Sequence, residues 1–380
     1  MLTSEEKDII QQTVPVLQKQ GTEITQTFYN RMFNQHPELR NMFNQTNQKR
    51  GFQSTALAQS VLAAAVNIDD LSKILPVVKE IGYKHCALQV FPEHYPIVGE
   101  NLLAAIQEVV GLEESHPIIQ TWGKAYGEIA DAFIQVEKEI YDSMIWDGFK
   151  PFKITSIEEE RSDIKVYTVD TNGIDLSQYV PGQYITVDVN STKLPYRAKR
   201  HYSVVEGTQD SLKFAVKRHV ENDMEGEVSA ILHDEFSVGD DILLSAPVGG
   251  FKVHNPEHDQ LFIGSGIGTT PLIPMFKQAT SESQDVKFIQ VADKAGESPF
   301  EQDLKEIAEQ GNAKLHIHDK SVEGYLLKDE LKDYLEANTE IYVCGGTVFI
   351  QAIVKELKAL HVDMTKVHFE TFVPRLSVEV

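Results

Sequence analysis

The chain is short of cysteine, of positive charge and of long apolar runs, and each shortage excludes something. Cys86 and Cys344 are its only cysteines. They stand far apart, which excludes a cysteine-rich metal cluster and fits a reducing compartment, so a cytoplasmic location is expected. Lys and Arg number 35 against 57 Asp and Glu, a net charge of −22. Phosphate binding needs a cationic surface, so nucleic acid is not expected as a general partner, although a local basic pocket for a phosphorylated cofactor is still allowed. No stretch reaches the length of a membrane span. The start, MLTSEEKDIIQQ, has neither the basic region nor the apolar run of a secretory signal.

What remains is a globular composition, 42% hydrophobic and 24% charged over 380 residues. That length predicts about two to three domains. Residues 1–147 carry no strand signals and no internal repeat. Thr3 to Glu6 reads as a capping box ahead of Ile9, Ile10, Val14, Val16 and Leu17, with Gly21 expected to end that helix. The next helix carries Ile24, Phe28, Tyr29, Met32 and Phe33 and closes at His36-Pro37. Gln53, Leu57, Ser60, Val61 and Ala64 share one face of another. Leu71 to Phe91, Tyr95 to Val110 and Pro117 to Trp146 complete an all-α domain of about globin size.

One histidine stands out. On a helix Ile81, His85 and Leu88 share a face, so an imidazole emerges among apolar side chains. A lone histidine there is more often a satisfied core residue than a ligand, and His alone names no metal. Tyr95 and Glu137 also sit in apolar helical registers, where a carboxylate needs a partner. The plain alternative exposes Glu137 to solvent beside Lys138 and Glu139.

With Tyr29, Phe43, Gln53, Leu57 and His85 at these relative positions, the segment resembles the globin module of flavohaemoglobins. The resemblance implies that His85 ligates the iron of haem b and that Phe43 packs on the haem. It makes Tyr29, Gln53 and Leu57 the distal pocket, where a buried phenol and amide can donate hydrogen bonds to dioxygen. It also implies a Tyr95–Glu137 hydrogen-bonded chain behind His85 that makes the imidazole a stronger electron donor.

From about residue 148 the pattern changes. Gly148 to Pro151 reads as a linker. Short alternating runs follow at Lys153–Ile157, Lys165–Val169, Tyr184–Val189, His201–Val205, Leu212–Val216 and Ile242–Leu244, suggesting a small antiparallel barrel over residues 148–254. Val180 to Gln183 suits a type II turn. RHYS, Arg200 to Ser203, places Arg200 and Tyr202 on one strand face and His201 and Ser203 on the other. GEVS, Gly226 to Ser229, precedes a helical run whose first amides can hold a pyrophosphate. Both motifs resemble the FAD module of ferredoxin–NADP reductases. By that resemblance Arg200 meets the FAD phosphate with Gly226, Val228 and Ser229, Tyr184 and Tyr202 contact the flavin, and Ser203 lies near its reactive nitrogen.

Residues 255–380 alternate strand and helix, which predicts an α/β domain with a parallel sheet and ligands at the strand C-termini. Gly264, Gly266 and Gly268 lie between a strand and a helix, with Thr270-Pro271 suited to the helix start. The spacing is not the standard dinucleotide fingerprint. It is similar to the reductase family's nicotinamide loop, so Gly266, Gly268, Thr269, Thr270 and Pro271 are expected to contact NAD(P)H. Cys344, before Gly345 and Gly346, is either a buried small hydrophobe or a neighbour of the nicotinamide together with Gly345. His316 and His318 share a strand face, but with no carboxylate nearby they read as structural. FETFVP, Phe369 to Pro374, resembles the family's terminal segment. By that likeness Phe372 stacks near the flavin, and Glu370 with Lys84 tunes the coupling of flavin and haem. The chain departs from the family with Gly346 for proline and Val373 for glycine. VADKAG, Val291 to Gly296, lacks an arginine for a 2′-phosphate, though Lys294 is nearby, so NADH is favoured over NADPH.

The resemblance covers nearly the whole chain and implies a flavohaemoglobin acting as a nitric oxide dioxygenase, with dioxygen, nitric oxide and NAD(P)H as small-molecule partners. It implies a monomer and leaves room for a lipid or an azole in the haem pocket. A haem-based oxygen or redox sensor and a haem-free NAD(P)H:flavin reductase are the competing readings.

Overall fold

The computed structural model describes residues 1–43, 48, 51–221, 224–283, 285–294 and 296–373. Two compact units emerge: Met1–Gly148 with Asn190–Lys199, and Phe149–Val189 with Arg200–Val373. No helix among the described residues is long and apolar enough to cross a membrane.

The first unit opens with the expected capping box. Thr3 Oγ1 accepts the Glu6 N–H at 3.2 Å and the Glu6 carboxylate accepts the Thr3 N–H at 2.8 Å, starting helix Ser4–Gln12. The break comes at Thr13, not at Gly21. Pro15 has no N–H to give the preceding turn, so the ladder restarts as helix Val14–Gln35 with proline in its first turn. Gly21 is instead buried inside that helix, where a Cβ would sit 3.5 Å from Ala58 Cβ. Helices Phe52–Val66, Leu75–Leu88, His94–Val110 and Pro117–Ser143 follow. Phe28, Met32, Leu102, Ile106, Ile119 and Trp122 meet in one core, each worth roughly 1.5–3 kcal/mol when fully buried.

The second unit begins with a closed barrel of strand order β1-β2-β5-β4-β3-β8: β1 Lys150–Arg161, β2 Ile164–Asp170, β3 Tyr184–Val189, β4 Ala198–Gly207, β5 Ser211–Lys217 and β8 Asp241–Leu244, with β6 Val220–Glu221 and β7 Met224–Glu225 forming a separate ribbon. The turn before β3 is type II as expected: Gly182 has φ +100° and the Gln183 N–H donates to Val180 O at 3.1 Å. A side chain at Gly182 would also strike Phe251 O.

A parallel sheet of order β11-β10-β9-β12-β13 completes this unit, with β9 Gln260–Ser265, β10 Val286–Ala292, β11 Lys314–Asp319, β12 Glu340–Cys344 and β13 Val367–Glu370. Strands β10 and β12 are buried along their whole length and β9 along all but its last residue, which is why LFIG, VKFIQV and IYVC read as continuous apolar runs. β13 was not expected as a strand. Chain order reverses between β9 and β12, so a crevice opens at their carboxyl ends, the usual ligand position in such sheets.

Two further expectations are corrected here. Helix Thr269–Glu282 starts one residue before Thr270-Pro271; proline is tolerated there because the first turn's N–H groups have no partner inside the helix. A carboxylate does lie near His316 and His318, because the turn after β11 returns Glu323 to them.

Glu340, on β12, is buried and takes hydrogen bonds from Asn255 (2.7 Å), His258 (3.0 Å) and His368 (2.8 Å). Burial opposes its ionisation, and the hydrogen bonds outweigh burial to hold the carboxyl below its ordinary value. The stability this supplies is complete above the usual glutamate range and is lost as pH falls through the lower folded value. Glu340→Gln should therefore flatten the acid limb of Tm against pH and cost about 1–3 kcal/mol at neutral pH, because an amide offers one acceptor atom where a carboxylate offers two. Thermal melts across the acid range check this.

Candidate functional site

In the helical unit, helix Leu75–Leu88 presents His85 and helix Pro117–Ser143 presents Glu137. His85 Nδ1 lies 2.6 Å from Glu137 Oε1. The Tyr95 hydroxyl donates to the same oxygen at 2.6 Å. Glu137 is buried, so the solvent-facing alternative fails. With the carboxylate accepting, Nδ1 carries a hydrogen, and in the neutral ring Nε2 is then the lone pair. The His85 side chain is 33% exposed while that of Glu137 is 3% exposed, so the imidazole is sealed behind and open in front. Burial and the Glu137 charge both push the Tyr95 phenol up, so it stays a donor. A shallow apolar cleft borders this region, lined in part by Leu75, Val78, Ile129 and Phe133. The Phe133 ring lies 5.8 Å from that of His85.

Sequence reasoning missed Tyr126. Its hydroxyl donates to Tyr95 O at 2.6 Å and its ring lies against Gly99, where a Cβ would come within 2.6 Å of it. A glycine and a tyrosine at helical spacing on two apolar helices were the available signal.

Tyr29 is buried on helix Val14–Gln35, with its ring 5.7 Å from that of Phe43. Burial pushes its phenol up, so it too remains protonated. Gln53 and Leu57 lie one turn apart on helix Phe52–Val66. Gln53 Oε1 is buried with no hydrogen-bond partner among the described residues, and Leu57 packs on the cluster that holds Tyr29. An orphaned buried amide oxygen and a half-open imidazole with a free lone pair fit a bound planar metal cofactor better than a closed core. Lys84 is half-buried on the His85 helix.

In the second unit, Arg200 on β4 approaches the start of helix Glu227–Glu235, its guanidinium 3.7 Å from Glu227. Burial lowers the Arg200 proton affinity, so an anion beside it is favourable. That helix has Gly226 at its N-cap and no side-chain cap. Ser229 Oγ is held between Gly226 O and the His219 N–H, and Val228 is buried beneath. Uncapped amides next to a cation fit a phosphate. Tyr202 stands 5.9 Å from Phe214, Tyr184 stands 4.9 Å from His201, and Ser203 is buried.

At the sheet's crevice β9 runs into a turn, Gly266–Gly268, and then helix Thr269–Glu282, which also has no side-chain cap. Gly266 has φ +55° and open space where a side chain would stand. At Gly268 a Cβ would fall 2.5 Å from Cys344 O and Gly345 N. Thr269 Oγ1 bonds Gly266 O and Gln290 Oε1, and Gln290 continues to Ser298. Thr270 Oγ1 donates to Ile267 O, and Pro271 is buried. Gln290 and Ser298 were not anticipated, although a glutamine inside FIQV was a visible anomaly. Cys344 is fully buried, and burial and then Glu370 push its thiol far up, so it is no nucleophile. Glu370 closes β13 opposite Cys344. Phe372 is 50% exposed. Lys294 is exposed. Pro374 lies outside the described residues.

Residues 26–133 match the Globin family, and residues 151–253 match the oxidoreductase FAD-binding domain. A flavohemoprotein of Bacillus subtilis is 39% identical, covering 100% of this chain and 99% of that protein. Flavohemoprotein A of Dictyostelium discoideum is 35% identical, covering 99% of this chain and 100% of that protein. Among solved structures, a flavohemoglobin from Malassezia yamatoensis with bound FAD and heme has a TM-score of 0.86 at 22% identity, covering 98% of this chain and 99% of that one, a likeness of fold. The FAD/NAD-binding domain of nitric oxide dioxygenase from Vibrio cholerae has a TM-score of 0.52 at 27% identity, covering 58% of this chain and 97% of that one.

Proposed function

The chain belongs to the flavohaemoglobin (flavohemoprotein) family, and from that membership we infer that it is an NAD(P)H-dependent nitric oxide dioxygenase. When bound, the cofactors supply the chemistry: flavin takes a hydride from the nicotinamide and releases single electrons, and haem iron binds dioxygen and lets it oxidise nitric oxide to nitrate. The chain's own residues hold, orient and polarise these groups. We assign residues 1–147 to the haem module, 148–254 to the FAD module and 255–380 to the nucleotide module.

His85 Nε2 is the iron ligand in this reading. Glu137 accepts its Nδ1 proton and Tyr95 fixes the carboxylate, which makes the imidazole electron-rich and favours oxygen chemistry over storage. That hydrogen-bonded chain is the observation that carries the proposal. With haem bound, Phe43 would pack on it, Tyr29 and Gln53 would donate hydrogen bonds on its distal side, and Leu57 would control access. Arg200 with the Gly226, Val228 and Ser229 amides holds the FAD pyrophosphate, Tyr184, Tyr202 and Phe372 flank the flavin, and Ser203 faces its reactive nitrogen. Gly266, Gly268, Thr269, Thr270, Pro271, Cys344 and Gly345 receive the nicotinamide nucleotide. Lys84 and Glu370 tune the coupling of flavin and haem. NADH is the favoured donor, because VADKAG carries no arginine for a 2′-phosphate, although Lys294 stands in it. A monomer in the cytoplasm, with a haem pocket that admits a lipid or an azole, completes the reading; both cysteines are free and buried.

The visible spectrum of the purified protein before and after anaerobic NADH tests the proposal. A Soret band with flavin shoulders that shifts on reduction supports it, and flavin absorption alone overturns it. Catalytic nitrate formation with NADH, dioxygen and nitric oxide separates the enzyme from a sensor.

Two substitutions probe the roles. Tyr29→Phe should leave haem and FAD content intact and speed dioxygen dissociation by roughly tenfold, the worth of one hydrogen bond to a charged acceptor; unchanged dissociation rates would remove Tyr29 from that role. Glu137→Gln should retain haem but lower nitric oxide turnover by about 10–100-fold, with a more positive haem potential by spectroelectrochemistry. A variant with native potential and native turnover would leave Glu137 a purely structural residue.

A further inference from the structure

A cluster the proposed reaction does not use lies at the edge of the parallel sheet. His316 and His318 project from the same side of edge strand β11, their rings 5.7 Å apart. Glu323 reaches them from the short helix Lys320–Glu323 that follows directly. Its Oε2 lies 3.3 Å from His316 Nε2 and 3.7 Å from His318 Nδ1, and one ligand atom from each of the three residues lies within 4.8 Å of the others.

His318 is the informative member. Its side chain is 1% exposed. Its Nε2 meets Gly324 O at 3.0 Å, and a carbonyl only accepts, so Nε2 carries the hydrogen. In the neutral ring Nδ1 is then a lone pair, and it is buried with no hydrogen-bond partner among the described residues. What it faces is another acceptor, the Glu323 carboxylate. In that neutral ring two acceptors face each other across 3.7 Å, an arrangement that a cation between them completes.

The surroundings hold this arrangement. Glu323 Oε1 accepts the Asp319 N–H at 2.8 Å, which leaves Oε2 turned towards the imidazoles. Asp319 accepts the Ser321 N–H and hydroxyl and so fixes the turn. A carbonyl behind one imidazole and an amide behind the carboxylate are the outer partners that metal ligands ordinarily have. Ligands of tetrahedral zinc, about 2.0–2.1 Å from the ion, stand about 3.3 Å apart; the two separations from Glu323 Oε2 lie at and slightly above that, and the two histidine nitrogens, within 4.8 Å of each other, close on the ion by side-chain rotation. His316 and Glu323 are each about one-third exposed, so an ion can enter from solvent and keep a water as its fourth ligand.

We propose that His316, His318 and Glu323 form a site for a zinc-class divalent transition metal, independent of the haem. The ion bridges β11 to the turn after it. Two imidazoles and one carboxylate suit zinc and its late first-row neighbours rather than magnesium or calcium, which prefer oxygen ligands.

The test uses the full chain with haem and FAD bound, freed of adventitious metal by a chelator and titrated with Zn²⁺ by calorimetry. The wild type should take up a zinc equivalent that His316→Asn and Glu323→Gln each weaken at least ~10-fold. Both positions are partly exposed, so NADH-driven flavin reduction in metal-free buffer should match the wild type and report that each variant is folded. Zinc K-edge absorption of the loaded protein should show two imidazole scatterers. A wild type that takes up no zinc, or variants that keep the full equivalent at unchanged affinity, overturns the site.

Discussion

A His85→Ala chain is expected to purify with flavin and without a Soret band. His85 Nδ1 is already committed to Glu137, so the substitution removes the Nε2 lone pair and the partner of a buried carboxylate together. On the proposed reading the first loss takes away the iron ligand. The second leaves Glu137, 2% exposed, with Tyr95 as its remaining side-chain donor among the described residues, and breaking a buried pair from one side typically destabilises by about 3–5 kcal/mol. A globin module that fails to fold would also lose haem, so a second chain is needed. His85→Ala combined with Glu137→Gln removes the uncompensated charge, and it should recover thermal stability but not haem. In both chains nitric oxide turnover should fall further than the ~10–100-fold expected when only an outer partner is lost. NADH reduction of an artificial flavin acceptor should persist, because the FAD and nucleotide residues are untouched. A normal haem spectrum in either chain would mean that another residue ligates the iron.

The lone His85 carried little weight in the sequence, and its neighbours explain why the region was still legible. Tyr95 and Glu137 were visible as polar residues in apolar helical registers. What the sequence could not supply was the phase of the helix Pro117–Ser143, and phase alone decides whether Glu137 faces solvent or His85. Strands were legible wherever burial was two-sided, as in β10 and β12. β13, a four-residue edge strand with one buried residue, left no pattern to find. Local chemistry was read well where its range was short, as in the Thr3–Glu6 box and the turn at Gly182.

Misreadings came where a residue's reason to exist was tertiary. Gly21 looked like a helix end and is a glycine against Ala58. Thr270-Pro271 looked like a cap and first helical residue, yet the helix is capped at Gly268, whose close approach to β12 fixes the turn, and begins two residues earlier. Glu323 lies five residues beyond His318 in sequence, and only the turn fixed by Asp319 returns it to the histidines.

Gly268→Val should separate hydride entry from oxygen chemistry. Gly268 has φ −61° and ψ −14°, an ordinary helical conformation open to any residue. Its glycine is therefore required by space: a Cβ would lie 2.5 Å from both Cys344 O and Gly345 N, and these are backbone atoms that cannot rotate away. Gly266 is the opposite case, with a left-handed backbone and open space around it. A side chain at 268 must push the Gly266–Gly268 turn off the end of β12, at the crevice where strand order reverses. Overpacking of this kind typically costs about 1–3 kcal/mol, which a domain of this size can absorb. Misplacing a bound substrate by about 1 Å can cost on the order of 100-fold in rate. Stopped-flow reduction of the flavin by NADH should slow by that order, while haem and FAD content, and the nitrate formed in a single turnover when pre-reduced protein freed of reductant meets dioxygen and nitric oxide, stay at wild-type levels. Slowing of both routes would indicate general unfolding. Unchanged NADH reduction would place the nicotinamide away from the β9–β12 crevice.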